Sequence, residues 1–194
     1  MVDVRKAIPD VVCDLRYATK RNVTGQLLYP ADMPCLLYWS TAEKLKRAQA
    51  LLKAQGYGLK VWDAWRPPEV QVSLFEYGGK TGMFVDPKEC WSKHCSGVAV
   101  DVTLADAKGR ELELPTYFDE GGPKAHYVYQ GNSTNIRKNV KVLQDAMKAA
   151  GFDLLAMEWW HFDDADSSGE NVAPPPVMFA SEAGITLPGL LKRR

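Results

Sequence analysis

Ser92-Lys93-His94-Cys95-Ser96-Gly97-Val98-Ala99-Val100-Asp101 is the stretch from which this chain is best read, together with Glu158-Trp159-Trp160-His161 further along. The two segments carry two imidazoles and two carboxylates among apolar neighbours. The chain has only three histidines, His94, His126 and His161, and two of them in such settings point to a metal site. A catalytic zinc takes three protein ligands and keeps a fourth position for water, with His nitrogen and Asp or Glu oxygen among its donors. His94, Asp101 and His161 fit that inventory. Glu158 is then left to accept a proton from a water whose pKa zinc lowers toward roughly 7, which is hydrolase chemistry. Each segment alone has a plainer explanation: a His beside Trp160 and Phe162 is commonly a half-buried hydrogen-bonding residue, and an Asp in an apolar strand commonly pairs with an Arg. The combination favours the metal, with small Gly97 and Ala99 where a loop feeds a strand and with Asp63 and Arg66 as a third polar cluster.

The pattern around these segments predicts the elements that hold them. Val98, Val100, Val102 and Leu104 fall on one face of a strand over 98–104, with Ala99, Asp101 and Thr103 on the other. The metal therefore belongs to the second face, and the loop through Gly97 must fold back to bring His94 beside Asp101. A second alternating strand over 59–65 puts Asp63 and Arg66 near a sheet edge before Pro67-Pro68 turn the chain. Helices are expected over 41–55, capped by Thr41 and stopped by Gly56; from Pro68 or Glu69 to Gly78-Gly79; and over 135–150, ended by Gly151. A short strand over 11–16 delivers Tyr17 to a turn-rich loop over 22–29. Residues 81–91 read as a loop, Lys108-Gly109 as a hairpin turn, and His126 as a surface residue. Residues three apart on a regular strand point to opposite faces, so Glu158 and His161 reach one metal only if the strand bulges or begins at Glu158. Arg66 offers a planar fork of donors to a carboxylate or to an oxygen gaining charge in a tetrahedral intermediate. It also has Asp63 nearby as a structural partner, and both roles are compatible.

With 194 residues and 46% hydrophobic composition, the chain suffices for one domain over 1–194, with an irregular Pro- and Gly-rich tail from about 164 to 194. Lys plus Arg balance Asp plus Glu at 24 each, which leaves no broad electrostatic footprint for nucleic acid; Lys192-Arg193-Arg194 reads as a solvated basic end. No run approaches the roughly 20 apolar residues of a membrane span. As written the chain is expected in the cytoplasm, or in the periplasm or outside if a signal peptide has been removed. Cys13, Cys35, Cys90 and Cys95 allow three pairings. They are free thiols, or bridges of Cys90 with Cys95 across the His94 turn and of Cys13 with Cys35. Cys95, adjacent to His94, is itself a potential zinc donor.

Ser92-x-His94-x-x-Gly97-x-Ala99-x-Asp101 followed by Glu158-x-x-His161 resembles the signature of zinc D,D-peptidases of the M15 type, and within them the D-alanyl-D-alanine dipeptidases of the vancomycin-resistance branch. Asp63-Ala64-Trp65-Arg66-Pro67 is similar to that family's Asp-x-Tyr-Arg-Pro segment, with Trp65 for the usual Tyr. Asp14-Leu15-Arg16-Tyr17-Ala18-Thr19 and Asn22-x-Thr24-Gly25 resemble its N-terminal motif, with Lys20-Arg21 in place of commoner small or acidic residues. The expected architecture is α+β: a single domain with a mainly antiparallel sheet flanked by helices and a zinc cleft at one edge, hedgehog/D,D-peptidase-like. The resemblance implies one zinc per chain, held by His94, Asp101 and His161, and a D-Ala-D-Ala dipeptide as substrate. It assigns Glu158 as base and Arg66 to the transition state. Asp119, within Pro115-Thr116-Tyr117-Phe118-Asp119-Glu120, would meet the substrate's ammonium, and Tyr17, Tyr29, Ser92 and Asp63 would serve the substrate pocket. Within the enzyme class the rival reading is a D,D-carboxypeptidase or a peptidoglycan endopeptidase of the same superfamily, acting on longer peptides. A non-catalytic zinc-binding module on this fold is the rival from another class, and Glu158 and Arg66 argue against it because a structural zinc needs neither. Antibiotic resistance, cell-wall recycling and use of D-alanine as nutrient would all employ the same chemistry.

Overall fold

The strand that carries Asp101 runs through the middle of the molecule in the computed structural model, which describes residues 1–78, 82–167 and 175–190. In chain order the elements are β1 (Val2–Asp3), α1 (Val4–Ala7), β2 (Val12–Cys13), β3 (Leu36–Leu37), α2 (Trp39–Lys53), β4 (Tyr57–Asp63), α3 (Pro68–Gly78), β5 (Ala99–Asp106), α4 (Thr134–Ala150), β6 (Phe152–Leu155) and β7 (Glu158–Asp164). Short 3-10 turns occupy Arg16–Ala18, Lys93–Ser96, Pro123–Ala125 and Ala165–Ser167. One five-stranded sheet has the order β2-β4-β5-β7-β6, and β1 pairs with β3 apart from it. The fold is α+β with a mixed sheet: β2 runs parallel to β4, whereas β4–β5, β5–β7 and β6–β7 are antiparallel.

Alternation along β5 sorts its side chains as expected. Val100, Val102 and Leu104 join a core shared with Leu45, Ala48 and Leu52 of α2 and with Leu143 and Met147 of α4. Each fully buried large aliphatic side chain contributes about 1.5–3 kcal/mol. Asp101 and Thr103 face the other way. In β4 the expected alternation breaks: Val61 pairs with Val102 but Asp63 pairs with Asp101, so Trp62 is an extra residue. A one-residue bulge moves the next side chain to the opposite face. Asp63 consequently lies beside Asp101 instead of following Val61 into the core.

Helix ends follow local chemistry. Ser133 Oγ accepts from the Ile136 N–H at 3.2 Å to open α4, and Gly151 closes it in the left-handed region at φ 99°. Helix α2 starts at Trp39, before the expected Thr41 cap, because the Thr41 hydroxyl donates to Asp164 Oδ2 at 2.7 Å. Lys44 pairs with the same carboxylate, and together they pin α2 to the end of β7. Gly97 ends the Lys93–Ser96 turn at φ 70°; a Cβ there would lie 2.9 Å from the Tyr38 nitrogen, whose N–H donates to the Gly97 carbonyl. The strand expected over 11–16 is confined to Val12–Cys13. Arg16–Ala18 coil instead, and the Tyr17 carbonyl accepts from both Leu28 and Tyr29 N–H groups. After the Lys108-Gly109 turn the chain returns through one bridge, Ala105 with Glu111.

Beyond Asp164 the described residues form no strand or α-helix, yet the tail is docked. The Met178 N–H donates to the Cys95 carbonyl and its own carbonyl accepts from Trp65 Nε1, both at 3.1 Å. Gly79, Thr81 and Lys192-Arg193-Arg194 lie outside the described residues. All four cysteines are free thiols. No helix among the described residues is long and apolar enough to cross a membrane.

Candidate metal centre

Asp63, Asp101 and His161 are direct neighbours across three adjacent strands, β4, β5 and β7. His94 reaches the same point from the Lys93–Ser96 turn, which opens with Ser92 Oγ accepting from the His94 N–H at 3.4 Å. His94 Nδ1 is 2.7 Å from the Ala64 carbonyl. A carbonyl can only accept, so Nδ1 carries the hydrogen and Nε2 offers a lone pair to the cluster. His94 Nε2 lies 3.1 Å from His161 Nδ1 and 3.3 Å from Asp101 Oδ1, and His161 Nδ1 lies 3.0 Å from the same oxygen. One ligand atom from each of His94, Asp101 and His161 falls within 4.8 Å of the other two, and all three residues are buried. Tetrahedral zinc with bonds of about 2.0–2.1 Å separates its ligand atoms by roughly 3.3 Å. Spacing and donor types both fit that ion.

The charges at this point are coupled. Burial opposes ionisation of Asp101, but the flanking His94 and His161 imidazoles outweigh it and hold the carboxyl well below the usual range. Burial likewise opposes a charged His161, yet its bonds to Asp101 and Asp163 bring the imidazole up to about 10. The buried carboxylates beside His161 thus favour positive charge at this point, a proton on that imidazole or a cation.

Arg66 is buried beside this cluster. Its Nε and one Nη contact Asp63 Oδ2 at 2.9 and 2.8 Å, the other Nη donates to Gln71 Oε1 at 2.9 Å, and Asp101 Oδ2 is 3.6 Å away. Its guanidinium lies over the Tyr17 and Phe84 rings at 5.2 and 5.9 Å. Asp63 in turn accepts from the Tyr29 hydroxyl at 2.7 Å.

Glu158 is the first residue of β7, and the β6–β7 register jumps from Leu154 opposite Phe162 to Leu155 opposite Glu158. Either a bulge or a strand start at Glu158 meets the demand of the spacing; β7 has both, and Glu158 lines one cleft with His161. Burial pushes the Glu158 carboxyl upward. Asp119 enters the same cleft from a backbone at φ 59°. Its Oδ1 accepts from the Tyr17 hydroxyl at 3.2 Å and its Oδ2 from the Val23 N–H at 3.4 Å, while burial pushes its carboxyl up to about 8.

The cleft has a volume of about 230 Å³ and is lined by Arg66, His94, Asp101, Asp119, Glu158 and His161, with Ser92, Lys93 and Asp163 also on its wall. That is smaller than the roughly 300–1,000 Å³ of sites for drug-sized ligands. Tyr17, Tyr29 and Asp63 do not line it; they sit beneath, bracing Asp119 and Arg66. Cys95 is fully buried, burial pushes its thiol up to about 12, and it is not part of the three-residue cluster. His126 is half-buried and not part of that cluster, with Nδ1 accepting from the Val128 N–H at 3.2 Å. Two contributors were not singled out from sequence. Asp163 shares a strand face with His161, a relation visible as His-x-Asp once the segment is read as a strand. Gln71 has no sequence signal beyond its place one turn into α3.

A buried His, Asp, His cluster, a protonatable Glu and a guanidinium around one small cleft define a class, the metal-dependent hydrolases. The family model described as D-ala-D-ala dipeptidase, of the M15 peptidases, matches residues 1–180. The chain belongs to that family and is a metallopeptidase. It is 30% identical to the D-alanyl-D-alanine dipeptidase of Escherichia coli strain K12 over 84% of this chain and 83% of that protein. It is 29% identical to the Enterococcus faecium protein of the same name, over 77% of this chain and 83% of that one. A Streptomyces coelicolor protein, also so named, is 26% identical over 82% and 88%.

Proposed function

We propose that this chain hydrolyses the D-alanyl-D-alanine dipeptide to two molecules of D-alanine, with one zinc ion held by His94, Asp101 and His161. The observation that carries the reading is the meeting of those three ligand atoms within 4.8 Å on the wall that also bears Glu158. Bound there, zinc supplies a Lewis acid that polarises a carbonyl and acidifies water. Glu158 takes the proton of the attacking water as its oxygen adds to the amide carbon, and returns it to the departing D-alanine amine as the C–N bond breaks. Its upward-shifted carboxyl suits a group that must both accept and release that proton. Arg66 donates to the carbonyl oxygen as charge develops on it, and Asp63 with Gln71 keeps the guanidinium in place. Asp119 pairs with the substrate's free ammonium, and Tyr17 and Tyr29 serve binding indirectly by bracing Asp119 and Asp63. Ser92 acts at the rim by fixing the His94 turn.

Glu158→Gln tests this assignment. The variant is expected to retain one equivalent of zinc and to lose about 10²–10⁴-fold in kcat for D-alanine release. A zinc-loaded variant with undiminished kcat would remove Glu158 from the reaction.

A further inference from the structure

His161 lies between two carboxylates. Its Nδ1 is 3.0 Å from Asp101 Oδ1, and its Nε2 is 3.0 Å from Asp163 Oδ1. A neutral imidazole has one N–H, and a nitrogen that binds metal must present its lone pair. For Nδ1 to face the cluster as a ligand, the hydrogen has to sit on Nε2, where Asp163 accepts it. Asp163 thus stands to His161 as the Ala64 carbonyl stands to His94.

The fold builds this arrangement deliberately. Asp163 is two residues beyond His161 on β7, so both share a face while Phe162 between them enters the core. Directly across from Asp163 on β5 is Ala99, just as Asp101 is across from His161. The cross-strand neighbour of Asp163 is thus a small side chain. The second Asp163 oxygen is 2.9 Å from Lys93 Nζ, and Lys93 immediately precedes His94. One carboxylate therefore ties the orientation of the third ligand to the turn that carries the first.

We propose that Asp163 is a positioning residue that holds His161 as the Nε2–H tautomer and directs Nδ1 at the metal, with Lys93 fixing the Asp163 rotamer. The proposal rests on the metal reading of the cluster and is independent of the substrate. A merely structural Lys93–Asp163 clasp would lower the stability of the metal-free protein and leave its metal affinity alone.

Zinc affinity, measured by competition with a chromogenic chelator, separates the two, with thermal unfolding of the metal-free proteins beside it. Carboxylates that orient a ligating His are worth about 10–100-fold in affinity, so Asp163→Ala is expected to bind zinc that much more weakly. Asp163→Asn keeps an acceptor without the charge and is expected to lose part of that roughly 10–100-fold. Lys93→Met leaves the Asp163–His161 bond in place and is expected to lose less than Asp163→Ala. Cobalt(II) reconstitution adds a spectroscopic check, since a reoriented His161 changes the visible absorption envelope. Equal zinc affinity for Asp163→Ala and the parent overturns the proposal. Should that variant not fold, unchanged affinity in Asp163→Asn does so. Because the readout is metal binding, failure of the dipeptide assignment would leave this result standing.

Discussion

Arg66→Lys keeps the positive charge and removes the fork. A guanidinium has five N–H groups. In this structure two of them go to Asp63 Oδ2 and one to Gln71 Oε1, so two remain for the cleft side, beside Asp101. A lysine ammonium places three donors on a single atom and cannot span Asp63, Gln71 and the substrate oxygen together. The expected loss is that of one donor to a developing oxyanion, about 10²–10³-fold in kcat or roughly 2.7–4 kcal/mol. KM should change little, because the interaction strengthens as charge appears on the oxygen. The charge that balances Asp63 is retained and Tyr29 still donates to that carboxylate, so the variant is expected to fold. Steady-state D-alanine release at matched zinc content is the assay, with thermal unfolding in parallel. A folded, zinc-loaded Arg66→Lys enzyme with kcat within about threefold of the parent would contradict the oxyanion role.

Gly97→Ala combines a left-handed backbone penalty of about 1–2 kcal/mol with a Cβ 2.9 Å from the Tyr38 nitrogen; calorimetry should show Tm lowered by about 5–15 °C, and an unchanged Tm would refute the packing argument. The Asp119 carboxyl, pushed up to about 8 by burial, is largely protonated in the free protein at pH 7 and must ionise to pair with an ammonium. KM for the dipeptide should therefore fall between pH 6 and 8 and be lowest near 8, where the substrate amine of pKa about 7.7–8.0 begins to lose its own proton. Asp119→Asn should abolish that slope, and a flat profile in the parent would disprove the pairing. The same raised pKa means that the folded state keeps a proton which the unfolded chain releases above roughly pH 4, so this group's contribution to stability declines as pH rises from there to 8.

The His94, Asp101, His161 cluster is legible in sequence because its residues fall in two short segments. His94, Gly97 and Asp101 lie within one turn and one strand, and the three-residue spacing of Glu158 and His161 calls for a bulge or a strand start at Glu158, where β7 begins. Asp63 was legible only in part. Plain alternation over 59–65 puts it on the Val61 face, and nothing local announces that Trp62 bulges and turns it toward Asp101. Sequence alone misplaces the start of α2, because Thr41, a good cap in isolation, is engaged by Asp164, which is distant in sequence. The parallel pairing of β2 with β4 depends on two residues and a long connection, a non-local contact with no periodic signature. Tyr17 and Tyr29 were identified as site residues, but only the folded chain distinguishes lining a cleft from bracing it: both are almost fully buried and act through their hydroxyls.

The proposed activity is that of a zinc enzyme that requires a free dipeptide. It is tested most directly by D-alanine release from protein loaded with one equivalent of zinc, given D-Ala-D-Ala, N-acetyl-D-Ala-D-Ala and a pentapeptide ending in D-Ala-D-Ala, beside a metal-stripped control. Zinc-dependent cleavage of the free dipeptide, with the two blocked peptides untouched, is the expected result. Cleavage of the pentapeptide or the acetylated dipeptide at a comparable rate would make the enzyme a carboxypeptidase or endopeptidase, and no cleavage of any peptide by the zinc-loaded protein would contradict the account altogether.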